Sequence, residues 1–187
     1  MRDFDRTNPD MLAGQRAARV HRSTWPLVFV VLLWGSALAN AQEYGEIGIA
    51  RGEKPELVEL EDLEGNPVSL AHYVGEKPVL LEFWATWCEN CRELLPQMID
   101  TYARYGDRIE YVAIAVAVAQ SRRSVKRRLE QEPVDYPTLW DTKGRAVRAF
   151  LAPSTSYIVI LDASGTVVYT GIGPMQDIEA AVTQTLE

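Results

Sequence analysis

Two cysteines, Cys88 and Cys91, are the only ones among 187 residues, and two residues separate them in the stretch EFWATWCENC. A pair at this spacing serves as half of a zinc site, as a structural staple, or as a dithiol that cycles between thiol and disulfide. A structural zinc site takes four Cys or His ligands, commonly as two pairs. The only histidines here are His21 and His72, so zinc would need a site shared between two copies. Copper delivery needs further soft or imidazole ligands, and no methionine cluster or histidine lies near the pair. No metal site is expected. A structural disulfide across two residues closes a tiny loop and stabilises little by the loop-entropy argument. A chain of this length also buries a core without one. Redox chemistry is the favoured reading.

The flanking residues say what positions the pair. PVLLEFWA (Pro78–Ala85) is a near-continuous apolar run of strand length, as expected of a central strand buried on both faces. After the cysteines, Leu94, Leu95, Met98, Ile99 and Tyr102 recur at helical spacing, with Pro96 expected to kink the helix and Gly106 to end it. The pair therefore stands where a buried strand hands over to a helix. At a helix N-terminus, free N–H groups and the dipole stabilise a thiolate, the nucleophile of disulfide exchange. Cys88, nearest the helix start and next to Trp87, is expected to be exposed and to attack first. Cys91, one turn on, is expected to face inward and resolve the mixed disulfide.

The remaining elements follow from pattern. Leu57–Leu60 and Val68–Leu70 flank a Glu64-Gly65-Asn66-Pro67 turn and predict a hairpin. Ile109–Ala119 is a second apolar strand, and Ser121–Glu132 an amphipathic helix capped by Ser121 with Val125 and Leu129 inward. Its five basic residues are read as a solvated face. Tyr136–Asp141 predicts a short strand, and KGRAVRAFLA a turn and short helix. Ser156–Asp162 and Thr166–Gly173 predict a second hairpin. Ile178, Ala181, Val182 and Leu186 share one face of a terminal helix. Strands joined by helices imply parallel pairing, and the late hairpin adds antiparallel strands to the same sheet.

The net charge of −7 lacks the basic footprint of a nucleic-acid binder. Residues 1–41 carry Arg16, Arg19 and Arg22, then the apolar run Leu27–Leu38, then small residues around Ala39 and Ala41. This is the pattern of a cleaved secretory signal, with an uncleaved anchor tethering the protein to the inner membrane as the alternative. The run is shorter than the roughly 20 residues of a spanning helix. Residues 42–54 are expected to be a flexible lead-in and 55–187 a single domain. Export brings the cysteines into an oxidising, periplasmic or otherwise extracytoplasmic setting, where disulfides persist.

EFWATWCENCRELLP resembles the active-site region of thioredoxins, and from about Pro55 to Leu186 the chain is similar to the exported TlpA/ResA-type thiol-disulfide oxidoreductases. The segments LEDLEGNPVSLAHYVGEKPVLLEFWATWC, VDYPTLWDTKGRAVRAF and VILDASGTVVYTGIG carry the likeness. The resemblance implies an α/β thioredoxin-like fold: a central mixed β-sheet flanked by helices, with an N-terminal β-hairpin extension. It implies a disulfide reductase with Cys88 as nucleophile, Cys91 as resolving thiol and no prosthetic group beyond the Cys88–Cys91 disulfide. It also implies exported proteins as substrates, cytochrome c apoproteins among them, and a membrane thiol donor.

Glu82 stands where thioredoxins place a buried acid that relays a proton to the resolving cysteine. A carboxyl in an apolar strand has a raised pKa and can take the proton that Cys91 must lose. A strand-edge Glu facing solvent is the alternative, which alternation alone does not exclude. The Glu89 charge disfavours a thiolate and points to a reductant. Asn90 replaces the proline often found there. The family also places a cis-proline opposite the cysteines. Counting back from Asp162 puts Ser156 at that place, with Pro153 three residues earlier, so Pro153, Thr155 and Ser156 form the candidate docking loop and Ser156 is preferred. A non-catalytic binding or metal-handling module of the same fold is the competing function. A peroxidase is disfavoured because Ala-Thr-Trp precedes Cys88.

Overall fold

The computed structural model describes residues 47–187, and the segment read as an export signal lies outside them. Seven strands form one sheet in the order β2-β1-β5-β4-β3-β6-β7. They are β1 (Glu59–Glu61), β2 (Pro67–Ser69), β3 (Val79–Trp84), β4 (Glu110–Val116), β5 (Thr138–Asp141), β6 (Tyr157–Leu161) and β7 (Val167–Ile172). The helices are α1 (Glu89–Tyr105), α2 (Arg122–Gln131), α3 (Arg145–Ala149) and α4 (Ile178–Leu186). β3, β4 and β5 run parallel, while β6, β7 and the β1–β2 hairpin pair antiparallel at the two flanks. The mixed sheet and helical cover are those of a thioredoxin-like fold, as the sequence reading expects.

β3 is the centre. Every one of its six residues is buried, because α-helical crossovers cover parallel strands on both faces. Residues paired in register share a face. Leu80, Glu82 and Trp84 therefore lie on one side with Tyr111, Ala113 and Ala115 of β4, while Leu81 and Phe83 lie on the other. On the second side the Phe83 ring packs against Phe150 and Tyr157, each at 5.7 Å between centroids. On the first, Tyr102, Tyr111 and Tyr136 form a cluster at 5.2–5.7 Å.

Several boundaries differ from the sequence reading. β4 stops at Val116, and Ala117–Gln120 becomes a loop in which Ala119 takes φ +52°. α1 runs through Pro96 as one 17-residue helix and buries Cys91, Leu94, Met98 and Thr101, whereas Ile99 is exposed. Thr101 is tolerated inside because its hydroxyl donates to the Gln97 carbonyl at 2.7 Å. Ser121 caps α2 as expected, in a reciprocal box with Ser124.

Part of the lead-in read as flexible is tied down, which corrects that expectation. Ile49 is buried, its N–H donating to the Phe150 carbonyl and the Tyr157 hydroxyl; Gly52 N–H donates to the Val167 carbonyl, and Val167 N–H to the Glu53 carbonyl. The sequence shows no periodicity here because the partners are more than 90 residues away. Gly48 has φ +76°, and a Cβ there would meet the Tyr157 hydroxyl at 2.2 Å. That hydroxyl also donates to the Ile47 carbonyl at 3.1 Å. Tyr157→Phe is expected to cost about 1 kcal/mol in urea unfolding and to speed amide exchange at Ile49. Unchanged exchange there would show that the hydroxyl does not hold the segment.

Candidate active site

β3 ends at Trp84 and α1 begins at Glu89, so Ala85–Cys88 must turn the chain through the sheet's end within four residues. Cys88 is the N-cap of α1, and its Sγ accepts from the Cys91 N–H at 3.1 Å. A disulfide joins Cys88 and Cys91. The expectation that Cys88 is the exposed member is corrected for this oxidised form: both cysteines are 6% exposed. The bond holds both sulfurs at the first turn of α1. Trp87 does stand out, at 52% exposure.

Other elements hold the turn by groups that sequence reasoning missed. Gln120 accepts from the Thr86 N–H at 2.9 Å and donates to the Val116 carbonyl at 2.6 Å. Arg128 of α2 donates to the Thr86 carbonyl at 3.1 Å and to Glu132 at 3.0 Å. The Trp87 indole N–H donates to the Val118 carbonyl at 2.8 Å. The β4–α2 loop and α2 thus fix both backbone groups of Thr86 and the ring of Trp87.

Beneath the disulfide lies a cavity of about 40 Å³ between the sheet and helices α1 and α2. Glu82, Cys88, Cys91, Ala113, Tyr136 and Thr138 are among its lining residues. The register explains the space: Ala113 stands between Glu82 on β3 and Thr138 on β5, and its methyl group leaves room for the Glu82 side chain. Glu82 is 5% exposed, which excludes the solvent-facing alternative. Burial pushes its carboxyl up to about 8 from an ordinary value of 4.5. A group that titrates near neutrality beside a disulfide is suited to proton transfer.

Glu89 and Asn90 are exposed in the first turn of α1, and Glu89 pairs with Arg92. The arginine offsets the charge that Glu89 brings to the helix start, so its influence on the thiolate is smaller than the sequence suggests. Of the docking-loop candidates, Ser156 directly precedes β6, one residue beyond the Phe83–Tyr157 pair, and is fully buried. Pro153 is exposed in the loop ahead of it, and Thr155 is half-buried. Ser156 takes φ +59°, which a proline ring does not permit. Among the described residues no group of three or more His, Cys, Asp or Glu is placed to hold a metal ion.

The fold and a disulfide capping the first helix define a thioredoxin-like protein. Residues 52–170 match the AhpC/TSA family, and the chain belongs to it. It is 32% identical to the thioredoxin-like protein YneN of Bacillus subtilis over 80% of this chain and 87% of that one. It is 27% identical to the thiol-disulfide oxidoreductase ResA of Bacillus subtilis over 87% and 90%. The thioredoxin domain of a thiol-disulfide oxidoreductase from Bacteroides vulgatus superposes with a TM-score of 0.66 at 21% identity, over 74% of this chain and 99% of that one.

Two predictions follow from the geometry. Because the folded protein holds Glu82 near 8 and the unfolded chain near 4.5, folding disfavours the ionised form. Stability from this group is full below the unfolded value and falls by about 1.4 kcal/mol per pH unit until the folded value is passed. Glu82→Gln is therefore expected to flatten stability between about pH 5 and pH 8, gaining several kcal/mol over the parent at the upper end in urea unfolding. Parallel curves for the two proteins would refute the burial argument. Ser156→Pro is expected to lower stability by about 2–3 kcal/mol, since the ring cannot adopt the left-handed backbone. A variant as stable as the parent would show that this loop takes another conformation.

Proposed function

We propose that this protein is a thiol-disulfide oxidoreductase of the cell envelope, acting as a reductant on disulfides of exported proteins. The observation that carries the reading is the Cys88–Cys91 disulfide at the α1 N-cap, which shares a cavity with the buried Glu82. Family membership and the names of ResA and its kin support it. The N-terminal basic and apolar segment supports export, with cytochrome c apoproteins as candidate substrates and a membrane thiol donor as the source of electrons.

In the reduced protein the Cys88 thiolate attacks one sulfur of a substrate disulfide. The other substrate sulfur leaves as a thiolate, and a mixed disulfide forms. Cys91 gives its proton to the Glu82 carboxylate and attacks Cys88 Sγ, which expels the second substrate sulfur as a thiolate. The products are a reduced substrate and the Cys88–Cys91 disulfide, so two electrons have passed to the substrate. Glu82 returns its proton through the cavity, and two electrons from an external dithiol restore the protein. A buried carboxylate under the pair and Glu89 beside it both oppose thiolate formation, which favours the disulfide and gives a reducing couple.

The test is insulin reduction by the domain 55–187 extended back to residue 47, so that the tied segment is kept. Cys88→Ser is expected to abolish turnover, and Cys91→Ser to accumulate a mixed disulfide. Glu82→Gln is expected to slow the resolving step by roughly 100-fold. Equal rates for the parent and Cys88→Ser would sink the enzyme reading. A reduction potential near the ≈ −120 mV of a strong periplasmic oxidant would reverse the direction proposed.

A further inference from the structure

Five buried side-chain polar atoms among the described residues have no hydrogen-bond partner, and three belong to residues that line the cavity under the disulfide. They are Trp84 Nε1, Tyr136 Oη and Thr138 Oγ1. Trp84 is 9% exposed and Tyr136 5%. An orphaned buried donor is costly, and such groups are ordinarily satisfied by protein or by ordered water. A site of about 40 Å³ has room for water, which needs roughly 10–15 Å³ and two or more polar partners. The three residues that carry these neutral donors line the cavity that also holds the buried carboxyl of β3.

The other groups around Glu82 are committed elsewhere or apolar. From β4 it meets Ala113 and from β6 Ile158. From α1 the cavity takes Cys88, Cys91 and Arg92, and from α2 Arg128 and Glu132. Arg92 is paired with Glu89, and Arg128 is bound to Thr86 and Glu132. Tyr136 stands close enough that the Glu82 charge raises the phenol's own pKa, together with the larger effect of burial and a smaller one from Tyr111.

We propose that Tyr136 and Thr138 are positioning residues for Glu82: through water held in the cavity their hydroxyls, with the Trp84 indole, donate hydrogen bonds to the ionised carboxylate and set the pH at which it takes up a proton. Donors to the charged form favour that form. Without them the carboxyl holds its proton to higher pH and accepts the Cys91 proton less readily near neutrality. The proposal rests on the reading of Glu82 as the proton acceptor, and the experiment separates the two.

The oxidised protein, carbon-13 labelled at glutamate carboxyls, is titrated by NMR, with Glu82→Gln identifying the resonance. Tyr136→Phe and Thr138→Val each remove a hydroxyl with almost no change of shape. Each is expected to raise the Glu82 midpoint by about one pH unit, a tenfold gain in proton affinity. The pH profile of insulin turnover is expected to move with it. A shift in either variant supports the proposal, and an unchanged midpoint in every variant that folds overturns it. Water-to-amide cross-peaks at Ala113 in the unaltered protein are a second readout, and their absence overturns the water-mediated route. The oxidised protein performs no turnover, so the titration does not depend on Glu82 relaying protons. Full activity of Glu82→Gln would remove the relay reading and leave the hydrogen-bond assignment standing.

Discussion

A carboxyl group held inside the central strand is the constraint on which the rest of this site depends. An ionised side chain in a dry interior costs several kcal/mol, and a protein reduces that cost by keeping the group neutral or by supplying donors. Here Glu82 has Leu80 and Trp84 along its own strand face, Ala113 beside it on β4 and Ile158 on β6. Among the described residues no cation pairs with it, and burial raises its pKa. The small residue at Ala113 gives the side chain a space to enter. That space is lined by Cys88 and Cys91 as well, so the buried carboxyl and the disulfide share one cavity.

The same geometry requires a rigid roof. A helix N-cap can stabilise a thiolate only if the sulfur is kept at the first turn, and the Ala85–Cys88 turn has little regular structure of its own. Gln120 and Arg128 bind the two backbone groups of Thr86, while Val118 holds the Trp87 indole. The loop after β4 thereby does two tasks, joining β4 to α2 and fixing the turn. Ala119 sits in a left-handed conformation inside that loop, a strain accepted next to a functional turn. The ion pair between Glu89 and Arg92 is solvent-exposed and contributes little to stability, but it sets how much negative charge the helix start feels.

Much of this was legible in the sequence because local rules governed it. The continuous apolar run of β3, the cap at Ser121, the Asp162–Thr166 turn and the cysteine pair at a strand–helix junction each declare themselves within a few residues. The buried state of Glu82 was open, since residues on both sides of it are apolar and alternation gave no direction; the sheet order, with β3 between β4 and β6, decides it. The clamp on Thr86 and the cavity donors were invisible for a different reason. Gln120 and Thr86 are 34 residues apart, and Arg128 and Thr86 are 42 apart. Tyr136 reads in sequence as one more strand residue, and only the packing of β5 beside Ala113 brings it toward Glu82. Similarly, Ile49–Glu53 carry no pattern, because their order is imposed by Phe150, Tyr157 and Val167.

Ser156 shows how hydrogen bonds hold a loop shape that a proline ring could not adopt. Its hydroxyl donates to the Thr155 carbonyl at 2.5 Å and accepts from the Gly173 N–H at 3.2 Å. Its own carbonyl accepts from Gln176 Nε2 at 3.1 Å, and Gln176 donates to the Gly173 carbonyl at 2.7 Å. The Tyr169 hydroxyl donates to Gln176 Oε1 at 3.2 Å, which orients the amide. Gly171 is required beneath it, since a Cβ there would lie 2.2 Å from Gln176 Oε1. A proline ring would fix φ at about −65° instead, far from the value seen here. The left-handed backbone at Ser156 is held by β7 and the loop before α4, and the carbonyl of Ser156 is occupied internally. The backbone of the residue that leads into β6 is thus held by a buried amide from the loop before α4.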